Sequence, residues 1–181
     1  MTPLATRRPL HLTATILVAL LVVSNLTLIF SFSSESRSDS ASRSRAVTEV
    51  VARVMTPHFD ELSLAEREAT VDHLHHYVRK AAHFSEFALL GFLTAVLVHL
   101  VGTYIGRRVS AWMAVGLPAL FCLLTAISDE VYQIFTHRGS SATDVLIDFS
   151  GAVCGVALLH TLLWLIVACT RRRNRKEIPA P

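Results

Sequence analysis

Four long apolar runs, roughly residues 10–30, 82–105, 109–131 and 144–169, constrain this chain more than any other feature. Each is close to the ~20 apolar residues needed to cross hydrocarbon. A segment inside lipid must satisfy its own backbone hydrogen bonds, so each run is read as a helix. The composition agrees, with 52% hydrophobic residues and a mean hydropathy of +0.47. A soluble domain has no use for that much apolar sequence. The expected fold is therefore all-α: a polytopic membrane protein with four transmembrane helices and an extracytoplasmic amphipathic helical segment. Cys122, Cys154 and Cys169 all lie in apolar runs and are read as free thiols.

Charge placement sets the expected topology. Lys and Arg in short flanks mark the cytoplasmic side. Arg7 and Arg8, then Arg107 and Arg108, then the run Arg171 to Lys176 all meet that rule with four spans and both termini inside. This makes the chain a multi-pass protein of the plasma membrane. The first run is too long for a secretory signal core and has no Ala-x-Ala after it, so it is read as an uncleaved anchor. Four segments follow. Residues 1–30 hold the cytoplasmic N-terminus and first span, and 31–78 an extracytoplasmic Ser-rich linker and amphipathic helices. Residues 79–170 form a three-helix membrane core, and 171–181 a basic cytoplasmic tail. The tail reads as a membrane-flanking stop, and no nucleic-acid partner is expected.

In residues 31–44 eight of fourteen are serine, a composition that cannot bury much apolar area and reads as a flexible linker. Val47, Val50, Val51 and Val54 then follow helical spacing, giving an apolar face for the membrane or the bundle. Thr56-Pro57 ends that helix. Ser63 and Glu66 have capping-box spacing and start the next, whose stripe is Val71, Leu74 and Val78. That helix is free to run on into the second span. His73, His75 and His76 have no metal-ligand spacing and read as a solvated helix face, so no metal or other cofactor is expected. Asn25, His99 and His160 lie inside spans and read as helix-contact residues, the amide of Asn25 able to pair with a neighbouring helix.

The chemistry-bearing residues gather at one depth. Arg79, His83, Glu86 and Leu90 share a helix face, with Glu86 about 7–8 Å inside the span. An ionisable group there needs a partner, a proton or water. Lys80 precedes them. Asp129, Glu130 and Gln133 lie at the end of the third span. Asp144 and Asp148 open the fourth, on the face that carries Gly151 and Gly155, a spacing that allows close helix contact. Arg138 lies between. With four spans, all of these fall at the outer ends of spans two to four. They are the candidate binding residues: Arg79, Lys80, His83, Glu86, Asp129, Glu130, Gln133, Arg138, Asp144 and Asp148. His83, Glu86, Asp129 and Glu130 are also the candidates for proton transfer or catalysis.

The stretches Arg79-Lys80-Ala-Ala-His83-Phe-Ser-Glu86-Phe-Ala-Leu-Leu-Gly91, Ser128-Asp129-Glu130-x-x-Gln133-x-Phe135 and Arg138-x5-Asp144-x3-Asp148-x2-Gly151-x3-Gly155 resemble the VanZ-like family of membrane proteins. Phe32-Ser-Ser-Glu-Ser36 resembles a further stretch of that family. One departure is Thr136-His137, where the family often has Pro-Gly before the arginine. The resemblance implies a cell-envelope protein linked to glycopeptide resistance of the teicoplanin type, with no established reaction. Three functions stay open. One is a binder of a membrane lipid, a lipid-linked cell-wall intermediate or a glycopeptide. The second is a membrane enzyme using His83 and paired carboxylates. The third is a small transporter or proton relay. The sequence leaves the oligomeric state open.

Overall fold

The computed structural model describes residues 4–136 and 141–176, and those residues form a helical protein. The helices are α1 (Leu4–Ser34), α2 (Arg37–Met55), α3 (Leu64–Tyr104), α4 (Ala111–Phe135) and α5 (Ala142–Lys176), with a 3-10 turn at Phe59–Glu61. Helices α1, α3, α4 and α5 are long and apolar enough to cross a membrane. Their outward faces carry large apolar side chains such as Leu20, Leu124 and Ile166, each more than half exposed. Such a surface suits lipid and not water.

All four spanning helices contribute to one core. Val22 and Ile29 of α1 meet Phe87 and Leu90 of α3, Cys122 and Ala126 of α4, and Ala152 of α5. Asn25 is buried beside it, yet its Oδ1 has no hydrogen-bond partner among the described residues. His99 and His160, which no sequence signal joined, face each other with ring centroids 5.4 Å apart. Each ring donates Nδ1–H to the carbonyl one turn earlier, on Ala95 and Val156, at 2.9 and 2.8 Å. All three cysteines are free; Cys122 is buried, and Cys154 and Cys169 are exposed.

Helix α3 has 41 residues and is continuous. At 1.5 Å per residue it spans about 60 Å, roughly twice the hydrocarbon thickness. Its first turns therefore project beyond the bilayer. Ser63 and Glu66 cap its start reciprocally, as their spacing predicts. Helix α2 folds back on this projecting part through Ala52, Phe59 and Val71, with Leu62 and Leu74 packed around them.

The serine-rich segment differs from its expected linker character. It is helical from Arg37, with Ser36 as N-cap accepting from the Asp39 amide. Arg43 pairs with Glu35 and lies 4.5 Å over the Phe32 ring. Ser44 Oγ is 2.6 Å from His75 Nε2, and Arg45 reaches Asp72 at 2.5 Å. Small polar residues permit a close approach, so Thr48 and Ala52 form the buried face. Of the valine stripe, Val47, Val50 and Val54 are exposed and Val51 is half-buried, so most of that apolar face is turned outward. His75 thus holds the hairpin, while His73 and His76 pack beside Tyr77.

Candidate functional site: a polar cluster at the hairpin end of the bundle

Glycines set the scaffold. A methyl group on Gly151 would collide with the backbone of Phe84, and one on Gly155 with the backbone of Ala88. One on Gly91 would meet the backbone of Ala152. These contacts advance together along both chains, so α3 and α5 run parallel at backbone contact distance. Without Cβ atoms at these points the helices approach as a small-x-x-x-small seam allows.

The same seam continues upward into charge. Lys80 forms an ion pair with Asp144, both side chains mostly buried. One turn deeper, His83 Nδ1 lies 3.9 Å from Asp148 Oδ1. That is within ionic reach and beyond a hydrogen bond. Asp148 is 1% exposed, and its Oδ1 has no hydrogen-bond partner among the described residues.

Helix α4 brings the other acids. Asp129 is fully buried, and Gln133, one turn on, donates Nε2–H to its Oδ2 at 2.8 Å. The same amide reaches Ser33 Oγ at 3.3 Å, and Thr136 Oγ1 donates to the Ser33 carbonyl at 3.4 Å. The end of α1 is thereby tied to the end of α4. Asp129 Oδ1 is left with no donor among the described residues. Glu130 accepts from the Ser141 amide at 2.8 Å. A carboxylate there meets the positive end of α5, which favours its charge. Asp129, Glu130, Asp144 and Glu86 all lie within electrostatic reach of Asp148. Five acids therefore act on one another, a costly arrangement inside a bundle unless something compensates it.

Beside this cluster, α1, α2 and α3 line a half-open cavity of about 270 Å³. Phe32, Val47, Val78 and Ala82 give it an apolar lining, and Arg43, Arg79, His83 and Glu86 give it charge. Glu86 feels attraction from Arg43 and repulsion from Asp129. The face shared by Arg79, His83 and Glu86 is thus the cavity wall, while Leu90 below them is fully buried in the core.

The structure brings nine of the ten candidate residues to this end of the bundle; Arg138 lies outside the described residues. The pairing partner of Asp144 is Lys80. Sequence reasoning missed Arg43, Ser33 and Ser141. Arg43 was hidden by the linker-like composition around it, although Ser36 and Asp39 already had the spacing of a helix start. Ser33 lies in the Phe32–Ser36 stretch that resembles the family, but only its contact with Gln133 ties it to the site, and Ser141 enters through its backbone amide. Among the described residues no three His, Cys, Asp or Glu side chains are grouped to hold a metal ion.

The family model described as VanZ/LLP1 matches residues 15–165. The chain belongs to the VanZ/LLP1 family. The match takes in the four apolar helices, the α2–α3 hairpin and every residue of the polar cluster, so this VanZ-like, multi-pass membrane protein carries its polar end within the family's own extent. No curated protein and no solved structure matches the chain.

Proposed function

We propose that the hairpin end of the bundle is an outer-leaflet binding site for an amphiphile. Its ligand is a lipid-linked cell-wall intermediate or a lipidated glycopeptide of the teicoplanin type. One juxtaposition carries the reading: a cavity with apolar walls and two arginines stands beside two buried carboxylates, Asp129 and Asp148, each with an oxygen lacking a donor among the described residues. Arg43 and Arg79 suit a phosphate or carboxylate. The orphaned oxygens suit an ammonium, amide or hydroxyl donor. Phe32, Val47 and Val78 suit the start of an acyl chain. A cavity of about 270 Å³ holds a head group or a piece of chain. The bulk of a glycopeptide stays outside it, against α2. The α2–α3 hairpin projects on this side, and the arginine flanks at residues 107 and 108 support a cytoplasmic placement of the other side.

The site binds and shields without turnover in this reading. An enzymatic reading has one observation in its favour, His83 standing 3.9 Å from Asp148 with a cavity at its side. The experiment that tests the binding reading is expression in a susceptible Gram-positive host. Teicoplanin carries an acyl chain that vancomycin lacks, and such a chain holds a drug at the leaflet by about 0.8 kcal/mol per buried methylene. Tolerance should rise more for teicoplanin than for vancomycin, and Asp129→Asn and Glu86→Gln should remove the gain at normal membrane level. Equal protection against both drugs, or none, would sink the proposal.

A further inference from the structure

A second cavity lies at the opposite end of the bundle, between the end of α3 and the start of α4. It measures about 670 Å³, within the range of pockets that accept a whole small ligand. Leu97, Val101, Met113 and Leu117 form apolar walls, and Arg107 and Arg108 stand at its mouth. Val101, Met113 and Leu117 are each about two-fifths exposed, so the groove opens sideways toward the lipid.

The turn that carries the arginines is fixed. Gly106 adopts φ +69, a left-handed conformation that glycine takes without strain. The Gly106 amide donates to Thr103 O at 3.1 Å, and the Arg107 amide to Gly102 O at 2.9 Å. That pair of bonds is the Schellman stop of a helix. Val109 packs where a side chain on Gly102 would sit. Ser110 then caps α4. The backbone that carries the two arginines is thus set at the groove, and Tyr104 and Trp112, 47% and 70% exposed, mark the level of the membrane interface.

The geometry points to a site for one anionic glycerophospholipid, its phosphate on Arg107 and Arg108 and an acyl chain along Leu97, Val101 and Leu117. An apolar groove alone would take any lipid. Two guanidinium groups carried on a set turn at its edge select a head group with net negative charge. The site is independent of the amphiphile site at the hairpin end, because it uses neither its residues nor its leaflet.

The test uses the full chain with Trp164→Phe, which leaves Trp112 as the sole tryptophan, in nanodiscs of zwitterionic lipid. Phosphatidylglycerol or phosphatidylcholine, each brominated near the head of its acyl chain, is titrated in, and Trp112 fluorescence is read. Saturable quenching should favour phosphatidylglycerol by about fivefold per arginine. Arg107→Gln with Arg108→Gln should abolish that preference while the basic tail stays intact. Val101→Phe, which narrows the groove and keeps both arginines, should reduce it too. Equal quenching by the two lipids in the parent protein would overturn the site. So would a preference that survives both variants, since it would then come from the tail's charge.

Discussion

Lys80 and Asp144 pair across 64 positions of sequence, one side chain on α3 and the other on the first turn of α5. The pair caps the glycine seam below it and closes the acid cluster from one side. A partly buried charge is costly when its partner is removed. Lys80→Ala and Asp144→Ala should each lower thermal stability in detergent, and the double variant should lose less than the sum of the two. Their coupling in a double-mutant cycle should be about 1–2 kcal/mol. Strictly additive losses would show that the two charges do not meet.

The α3–α5 seam makes its own prediction. Gly151→Leu and Gly155→Leu force side chains into backbone that cannot move aside, at a cost of about 3 kcal/mol or more. Size-exclusion profiles should show little folded protein for either. Cys154→Leu, on the exposed side of the same helix, should behave as the parent.

The α2 segment should be ordered. Hydrogen exchange across residues 40–54 should be slow, because Thr48 and Ala52 are buried on α3 and Ser44 meets His75. Deleting about ten residues between Ser34 and Ser44 should remove the pairing of Arg43 with Glu35 and reduce drug tolerance. Coil-like exchange throughout would restore the linker expected from composition.

Much of this was legible in the sequence, for a physical reason. Hydrocarbon thickness fixes span length, so four apolar runs gave four helices. The expense of charge in lipid made Glu86 and Asp148 conspicuous, and helical spacing put Arg79, His83 and Glu86 on one wall. Gly151 and Gly155 announced the seam. What stayed hidden depends on tertiary contact. Arg43 enters through a serine-rich helix whose intrinsic propensity is weak and whose packing on α3 decides the matter. Ser33 matters only because Gln133 and Thr136 reach it. The valines of α2 were read as a face for the membrane or the bundle, and the close approach to α3 went instead to the smaller Thr48 and Ala52.

Topology follows from the charge flanks. With native thiols replaced, a single cysteine at residue 107 should label only from the cytoplasm, and one at residue 47 or 64 only from outside. Outside labelling of residue 107 would exchange the leaflets of the two proposed sites.

The most direct measurement is binding of an acylated glycopeptide to the purified protein in nanodiscs, with empty discs subtracting bilayer partition. Teicoplanin should bind saturably and about tenfold or more tighter than its deacylated form, since several buried methylenes supply that difference. Asp129→Asn and Arg43→Gln should each weaken it by about tenfold, the scale of one lost charge-assisted bond. Signal equal to that of empty discs, or undiminished in both variants, would contradict the outer-leaflet site.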